Sequence, residues 1–283
     1  MTEKIAILTD SGSDVPAEIV KSMGIFVLPL QVNYKAKSYS DGVDIDAQTV
    51  YENLTKEIPT TSLPTGKVVT ETLEKIEKEG YTHILAVVLS AGLSGTCNMI
   101  RLMAETSKLP MKVIDTKNIG IGSGLSVIKA AQWAKEGFTF EDLGAKVEKI
   151  IETTKVFFVL NTLEYLQKGG RIGKVSAFVG QTLDLKPIIT CNEEGIYTTV
   201  SKVRGRKGSL TRIKEIVCST VEGAKVINIA FAHGDAYEEL TKIKEDVLSR
   251  LPKVKDVYVG PVSPALGVHT GPGLIGIAVQ IEA

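Results

Sequence analysis

Short hydroxyl side chains recur in this sequence where free backbone amides are also expected. In "LSAGLSGTC", residues 89–97, small polar residues follow directly on the apolar run "HILAVVL". A strand ending near Ser90 and a helix restarting near Ser94 leave outward-facing N–H groups, and the Ser94 hydroxyl adds a further donor. In "PTTSLPT", residues 59–65, Thr61 and Ser62 are neighbouring hydroxyls. Such donors call for something electron-rich: a carbonyl under attack, a phosphate or a bound carboxylate. Hydroxyls and helix-start amides together form a neutral cradle, suited to a carboxylate or carboxylic acid rather than a triphosphate.

Other chemistries compete for the same residues. "GLSGT" approaches the nucleophile elbow G-x-S-x-G, but Thr96 stands where the second glycine belongs. A relay of Ser94, His269 and either Asp10 or Asp115 would make the chain a serine-dependent esterase or acyl-transfer enzyme. His83 reads as an ordinary residue at the start of an apolar strand. "GIGSG", residues 120–124, is followed by Leu125 and so fails the dinucleotide pattern G-x-G-x-x-G. With no Walker-type GK[ST] either, no nucleotide cofactor is expected. Those glycines are expected instead to let a helix from residue 121 start close to a sheet. Ser62 also reads as the cap of a helix whose early turn takes Pro64. Arg171, in "QKGGRIGKV", reads as a solvated arginine beside Lys168 and Lys174.

Alternating elements must position these groups. Strand-like "KIAILTD" precedes the helical "PAEIVKSMG"; the apolar run "IFVLPLQVNY" follows; "DAQTVYENLTKE" and "VVTETLEKIEKEG" read as helices. "HILAVVLS" and "KVIDT" read as strands, and "GSGLSVIKAAQWAKEG" as a helix. This rhythm predicts an open, mostly parallel sheet with helices on both faces. Ligands gather beyond the strand carboxyl ends of such sheets, so "TDSGSD", "LSAGLSGT" and "DTKNIG" are expected to share one rim. After "FEDLGAKVEKIIETT" the texture shifts to neighbouring strand candidates with glycine turns, and "NEEG" reads as a hairpin loop. Two α/β domains are expected, 1–154 and 155–283, the second with a mixed sheet, enclosing a cleft between them.

Composition sets the outer limits. The chain has 283 residues, 43% of them hydrophobic, which suits packed soluble domains. Lys plus Arg and Asp plus Glu balance at 33 each, so the basic excess of a nucleic-acid binder is missing. Cys97, Cys191 and Cys218 form no CxxC pair, no metal site is expected, and a reduced, cytoplasmic setting fits. "MTEK" leads directly into a strand, so the mature chain is expected to begin there.

The motifs together resemble the DegV family of bacterial fatty-acid-binding proteins, which includes FakB, the acyl-carrying subunit of fatty acid kinase. The resemblance rests on "TDSGSDVP", "TSLP", "LSAGLSGT", "DTK", "LEYLQKGGRIG", "LKPII" and "VHTGPG", in that order along essentially the whole chain. It implies a two-domain α/β fold holding one long-chain fatty acid, such as palmitate or oleate, in a tunnel between the domains. It implies a carrier rather than an enzyme, with a FakA-like ATP-dependent kinase converting the bound carboxylate to an acyl phosphate. By the family pattern Thr61, Ser62, Ser94 and Gly95 meet the carboxylate, and His269 lies beside it. Arg171 is then placed near the carboxylate and the kinase-facing surface, where its charge would support phosphotransfer. The resemblance leaves room for transient membrane contact. Leu63 and Ala91 stand where the family commonly has polar residues, which bears on acyl preference and partner choice.

Overall fold

The computed structural model describes residues 3–178, 184–251 and 253–282. The chain enters as β1 (Ile5–Asp10), buried from its second residue onward. After a single 3₁₀ turn comes α1 (Ala17–Met23), closed by Gly24 at φ +68°, a left-handed cap that glycine adopts without penalty. β2 (Phe26–Leu28) pairs parallel to β1. The run "IFVLPLQVNY" is divided: Pro29 cannot donate to a ladder, and beyond it β3 (Gln31–Asn33) joins a different sheet, paired with β4 (Ser38–Ser40). α2 (Ala47–Asn53) is capped by Asp46, whose carboxylate accepts from Thr49 N–H at 2.7 Å. β5 (Thr60–Ser62) then pairs antiparallel to β3, completing a small sheet of order β4-β3-β5.

α3 (Gly66–Lys78) corrects one sequence expectation. Its cap is Thr65, which accepts from Val68 N–H, while Ser62 lies back in β5. β6 (His83–Val88), α4 (Thr96–Ala104) and β7 (Met111–Asp115) complete a parallel four-stranded sheet of order β2-β1-β6-β7. α5 (Ile121–Glu136) is buried on every side from Ile121 to Ala131 because it lies between two sheets, against β1 and β6 on one flank. α6 (Phe140–Glu152), capped by Thr139, packs beside it.

Sheet membership changes at Thr154. β8 (Thr154–Val159) begins a six-stranded sheet; α7 (Glu164–Lys168) follows, then the antiparallel hairpin β9 (Leu185–Cys191) and β10 (Tyr197–Arg204) around "NEEG". α8 (Gly205–Thr220), β11 (Val226–His233), α9 (Tyr237–Arg250), β12 (Val254–Pro261), α10 (Pro264–Thr270) and β13 (Ile275–Glu282) complete the chain. The sheet order is β10-β9-β8-β13-β11-β12, mixed because only β11 and β12 run parallel. β8, β11 and β13 cover the second flank of α5.

Two glycines let α5 into this slot. A Cβ on Gly124 would lie 2.4 Å from the Ser13 carbonyl oxygen, and one on Gly122 would lie 2.7 Å from Val156 Cβ. The "GIGSG" glycines thus serve close approach of the helix to its neighbours, as expected. Lys129 of α5 is buried and paired with Glu282 of β13 at 2.6 Å, and Asn228 Nδ2 of β11 donates to the same carboxylate at 2.8 Å. Among the described residues no helix is long and apolar enough to cross a membrane.

Candidate functional site

Strand connections in the parallel sheet reverse direction between β1 and β6, which opens a crevice at the carboxyl ends of the strands. The three loops there interlock as expected. Leu89 N–H donates to Asp10 Oδ2 at 2.9 Å, Ser90 N–H to the Asn118 carbonyl at 2.8 Å, and Gly120 N–H to the Gly12 carbonyl at 2.8 Å. Beside this rim lies a cavity of about 230 Å³, lined by Thr61, Ser62, Ser94, Gly95, Arg171 and His269. All six residues singled out from the sequence meet there. Leu30, Leu89, Leu93, Ile119 and Leu266 supply aliphatic walls.

Each polar group arrives on a different element. Thr61 stands in the middle of β5 opposite Val32, and its hydroxyl lies 2.7 Å from His269 Nε2, on the last turn of α10. Ser62 accepts a hydrogen bond from Asn33 Nδ2 at 3.1 Å. Ser94 sits in the turn before α4, its Oγ 2.9 Å from the Thr96 hydroxyl and accepting from Thr96 N–H at 3.3 Å. Gly95 is the residue before the helix, and a Cβ there would lie 3.5 Å from Leu63 at the mouth of the cavity. Arg171 closes the turn after α7: its N–H donates to the Leu166 carbonyl at 3.0 Å and its Nη1 to the Gly169 carbonyl at 2.8 Å. No carboxylate among the described residues pairs with its guanidinium. The solvated-surface reading of Arg171 therefore gives way to a half-buried cation facing the cavity.

Electrostatics follow from burial. Burial and the nearby Arg171 cation hold His269 down at about 4, so its imidazole is neutral near pH 7. The cavity therefore offers one permanent positive charge surrounded by neutral donors. α10 is held at its start by two carboxylates: Asp14 Oδ1 accepts from Ser263 N–H and Asp41 Oδ1 from Ala265 N–H, both at 2.9 Å. Asp41 also accepts from the Ser11 hydroxyl at 2.5 Å. These contacts fix the helix whose far end carries His269.

The bonds of a serine-protease-like relay are made elsewhere. The Ser94 hydroxyl faces Thr96, His269 Nε2 faces Thr61, Asp10 accepts from Leu89, and Asp115 accepts from the Ala91 and Lys117 amides. Burial pushes the Cys97 thiol to about 11 and the Cys191 thiol to about 12, so neither supplies a thiolate nucleophile near neutral pH. Sequence reasoning missed Tyr197, a buried residue at the start of β10 that also lines the cavity. Its only sequence signal was its place just beyond the hairpin loop, which says nothing about the loop's neighbours in space.

Comparison with known proteins places this geometry in context. Residues 4–282 match the model of a family described as uncharacterised DegV proteins. A DegV domain-containing protein of Clostridium perfringens is 43% identical over 281 residues, covering 99% of each chain. A solved DegV family protein from Thermus thermophilus, described by its fatty acid binding, superposes with a TM-score of 0.93 at 30% identity, covering 99% of this chain and 100% of that one. A fatty acid binding DegV family protein from Streptococcus agalactiae gives 0.89 at 30% identity, with the same coverage.

Proposed function

The chain belongs to the DegV family, and we propose from that premise that it binds one long-chain fatty acid, carboxylate first against the polar end of the cavity. The observation that carries this reading is a guanidinium, Arg171, with no carboxylate partner among the described residues, sharing a cavity with the Thr61, Ser62 and Ser94 hydroxyls and with walls of leucine and isoleucine. Burying an alkyl tail gains about 0.8 kcal/mol per methylene, so a long chain supplies on the order of 10 kcal/mol before ordering costs. The head group then needs only orientation and charge balance, which one cation and a few donors provide.

The cavity's 230 Å³ lies just below the usual range of small-molecule sites, roughly 300–1,000 Å³. A full acyl chain therefore extends by parting aliphatic side chains of the adjoining core cluster, which includes Leu30, Ile119 and Leu266. In this reading the protein is a carrier. A separate FakA-like kinase supplies ATP, a carboxylate oxygen attacks the γ-phosphorus, and ADP leaves as the acyl phosphate forms. Arg171 steadies the negative charge on the transferring group.

Native mass measurement of freshly purified protein, before and after delipidation, tests the first part. We expect a noncovalent adduct of about one fatty acid, lost on delipidation and restored by added oleate or palmitate. An empty protein with no affinity for either acid would overturn the assignment, and a covalent acyl adduct on Ser94 would replace it with acyl-transfer chemistry. Phosphate transfer from ATP to bound oleate, with and without the kinase, tests the second part.

A further inference from the structure

We propose that the Tyr197 hydroxyl is a donor kept for the ligand, and that together with Arg171 it makes the cavity select an ionised head group over a neutral one. This rests on the fatty-acid reading above and adds to it a residue that sets specificity.

Five hydroxyl side chains line the cavity, those of Thr61, Ser62, Ser94, Tyr197 and Thr270. Four of them are engaged with protein. The Thr61 oxygen lies 2.7 Å from His269 Nε2, Ser62 accepts from Asn33 Nδ2 at 3.1 Å, the Ser94 oxygen lies 2.9 Å from the Thr96 hydroxyl, and Thr270 donates to the Leu266 carbonyl at 3.0 Å. The Tyr197 hydroxyl has no hydrogen-bond partner among the described residues, although the residue is only 5% exposed. A buried polar group without a partner costs free energy comparable to a lost hydrogen bond, so this donor favours a ligand that brings it an acceptor.

Neighbours fix the residue in place. Tyr197 opens β10 opposite Cys191 of β9, and its ring meets the Phe158 ring edge-on, with centroids 5.2 Å apart. The turn after Arg171 rests directly on its backbone: a Cβ on Gly173 would lie 2.9 Å from the Tyr197 carbonyl oxygen and 3.5 Å from the Tyr197 Cβ. The strand that carries the phenol thus supports the turn that carries the guanidinium, and both side chains line a cavity of only about 230 Å³. A carboxylate held by Arg171 in so small a space comes against the Tyr197 hydroxyl. Burial holds the phenol well above its ordinary value of 10, so it stays a donor near neutral pH. A carboxylate offers only acceptors, and its charge roughly doubles the strength of the bond. An ester offers a neutral carbonyl and leaves Arg171 without a counter-charge.

Delipidated wild-type protein and Tyr197→Phe, titrated with oleate and with methyl oleate, test the assignment. Phenylalanine keeps the ring and removes one oxygen that bonds no described residue, so the ligand-free variant should melt no lower than wild type. It should bind oleate about thirtyfold less tightly, one hydrogen bond to a charged acceptor, and methyl oleate no more than about fivefold less tightly, one to a neutral acceptor. Equal losses for acid and ester, or an unchanged oleate affinity, would overturn the proposal. A lowered midpoint of the ligand-free variant would overturn it too, by showing that the hydroxyl already has a protein partner. Wild-type protein that binds neither ligand would reject the fatty-acid reading and this assignment with it, whereas wild type that binds oleate no better than the variant would reject the role of Tyr197 alone.

Discussion

At the scale of single residues the proposed site divides its tasks at the polar end of the cavity. In that proposal Arg171 supplies charge and Thr61 and Ser94 supply hydroxyls, while Gly95 keeps side-chain bulk away from the start of α4. Ser94 is held by Thr96 and does not support the fold through distant contacts, so Ser94→Ala should leave unfolding midpoints nearly unchanged. It should weaken oleate binding by about 0.5–1.5 kcal/mol, one hydrogen bond, in an equilibrium titration. Unchanged affinity would assign the hydroxyl to capping alone. Arg171→Ala removes the one cation that lines the cavity among the described residues. Binding should weaken, and acyl-phosphate formation with the proposed kinase partner should fall further than the binding loss explains, because charge grows in the transition state. Single-turnover transfer at saturating oleate separates the two effects; loss of kinase docking alone would move Arg171 to the protein–protein interface.

Elements hold these residues through tight backbone approaches. α5 is the shared wall of both large sheets, and its fit depends on Gly122 and Gly124. Replacing an interior helical glycine by alanine normally stabilises by about 1 kcal/mol. Here the Gly124→Ala methyl would strike the Ser13 carbonyl, in a loop fixed by side-chain bonds from Ser13 to Thr9 and Ser123. Overpacking of about 1–3 kcal/mol should outweigh the propensity gain, giving net destabilisation in urea unfolding. Gly66→Ala is the control: nothing lies within 4 Å of its added methyl, so that variant should be as stable as wild type or more so. If both variants gained stability, close approach would not be what requires glycine in α5. The order and type of most of these elements were legible in the sequence, because apolar runs of strand length and 3.6-residue periodicity are local signals. The break at Pro29 and the cap at Thr65 were not, since "IFVLPLQVNY" is apolar on both sides of the proline and both Ser62 and Thr65 can cap.

For the whole molecule, the loops at the strand ends bury carboxyl groups, Asp10, Asp14 and Asp41, that have no cationic partner among the described residues. Burial raises Asp10 to about 7, and Asp14 and Asp41 are raised for the same reason, with mutual repulsion adding to the effect on Asp10 and Asp14. A carboxyl whose folded value lies above its unfolded one stabilises the fold fully below the unfolded value, near pH 4, and loses that contribution as pH rises through about 7. His269 acts oppositely: lowered to about 4, it contributes above about 6.5 and loses that contribution as pH falls toward 4. The two oppose each other between these limits, and above about pH 6.5 the aspartates dominate the pair. Wild-type stability should therefore fall from about pH 6.5 to 8, and Asp10→Asn, which keeps an acceptor for Leu89 N–H, should flatten that fall in denaturant titrations. An equal slope in both proteins would show that Asp10 is ionised throughout. Ligand binding should also raise the thermal midpoint of delipidated protein in proportion to the logarithm of free oleate, since only the folded state has the cavity.

The sequence by itself determined which residue types stand beside which strand ends. "LSAGLSGTC" read as a polar turn because small residues follow an apolar strand, and "TTSLP" placed neighbouring hydroxyls that could either cap a helix or face the rim. The motif order along the chain carried the DegV family resemblance. Tertiary structure alone brought the Thr61 hydroxyl within 2.7 Å of His269 Nε2, 208 positions away, set Gly169 against the other side of that ring, and placed Tyr197 in the wall. It also turned Arg171 from an apparently solvated side chain into a half-buried cation at the cavity. The reason is range: periodicity and turn chemistry act over a few residues of chain, whereas burial and hydrogen-bond partners depend on neighbours that only the packing of α10 against β5 and α7 brings together.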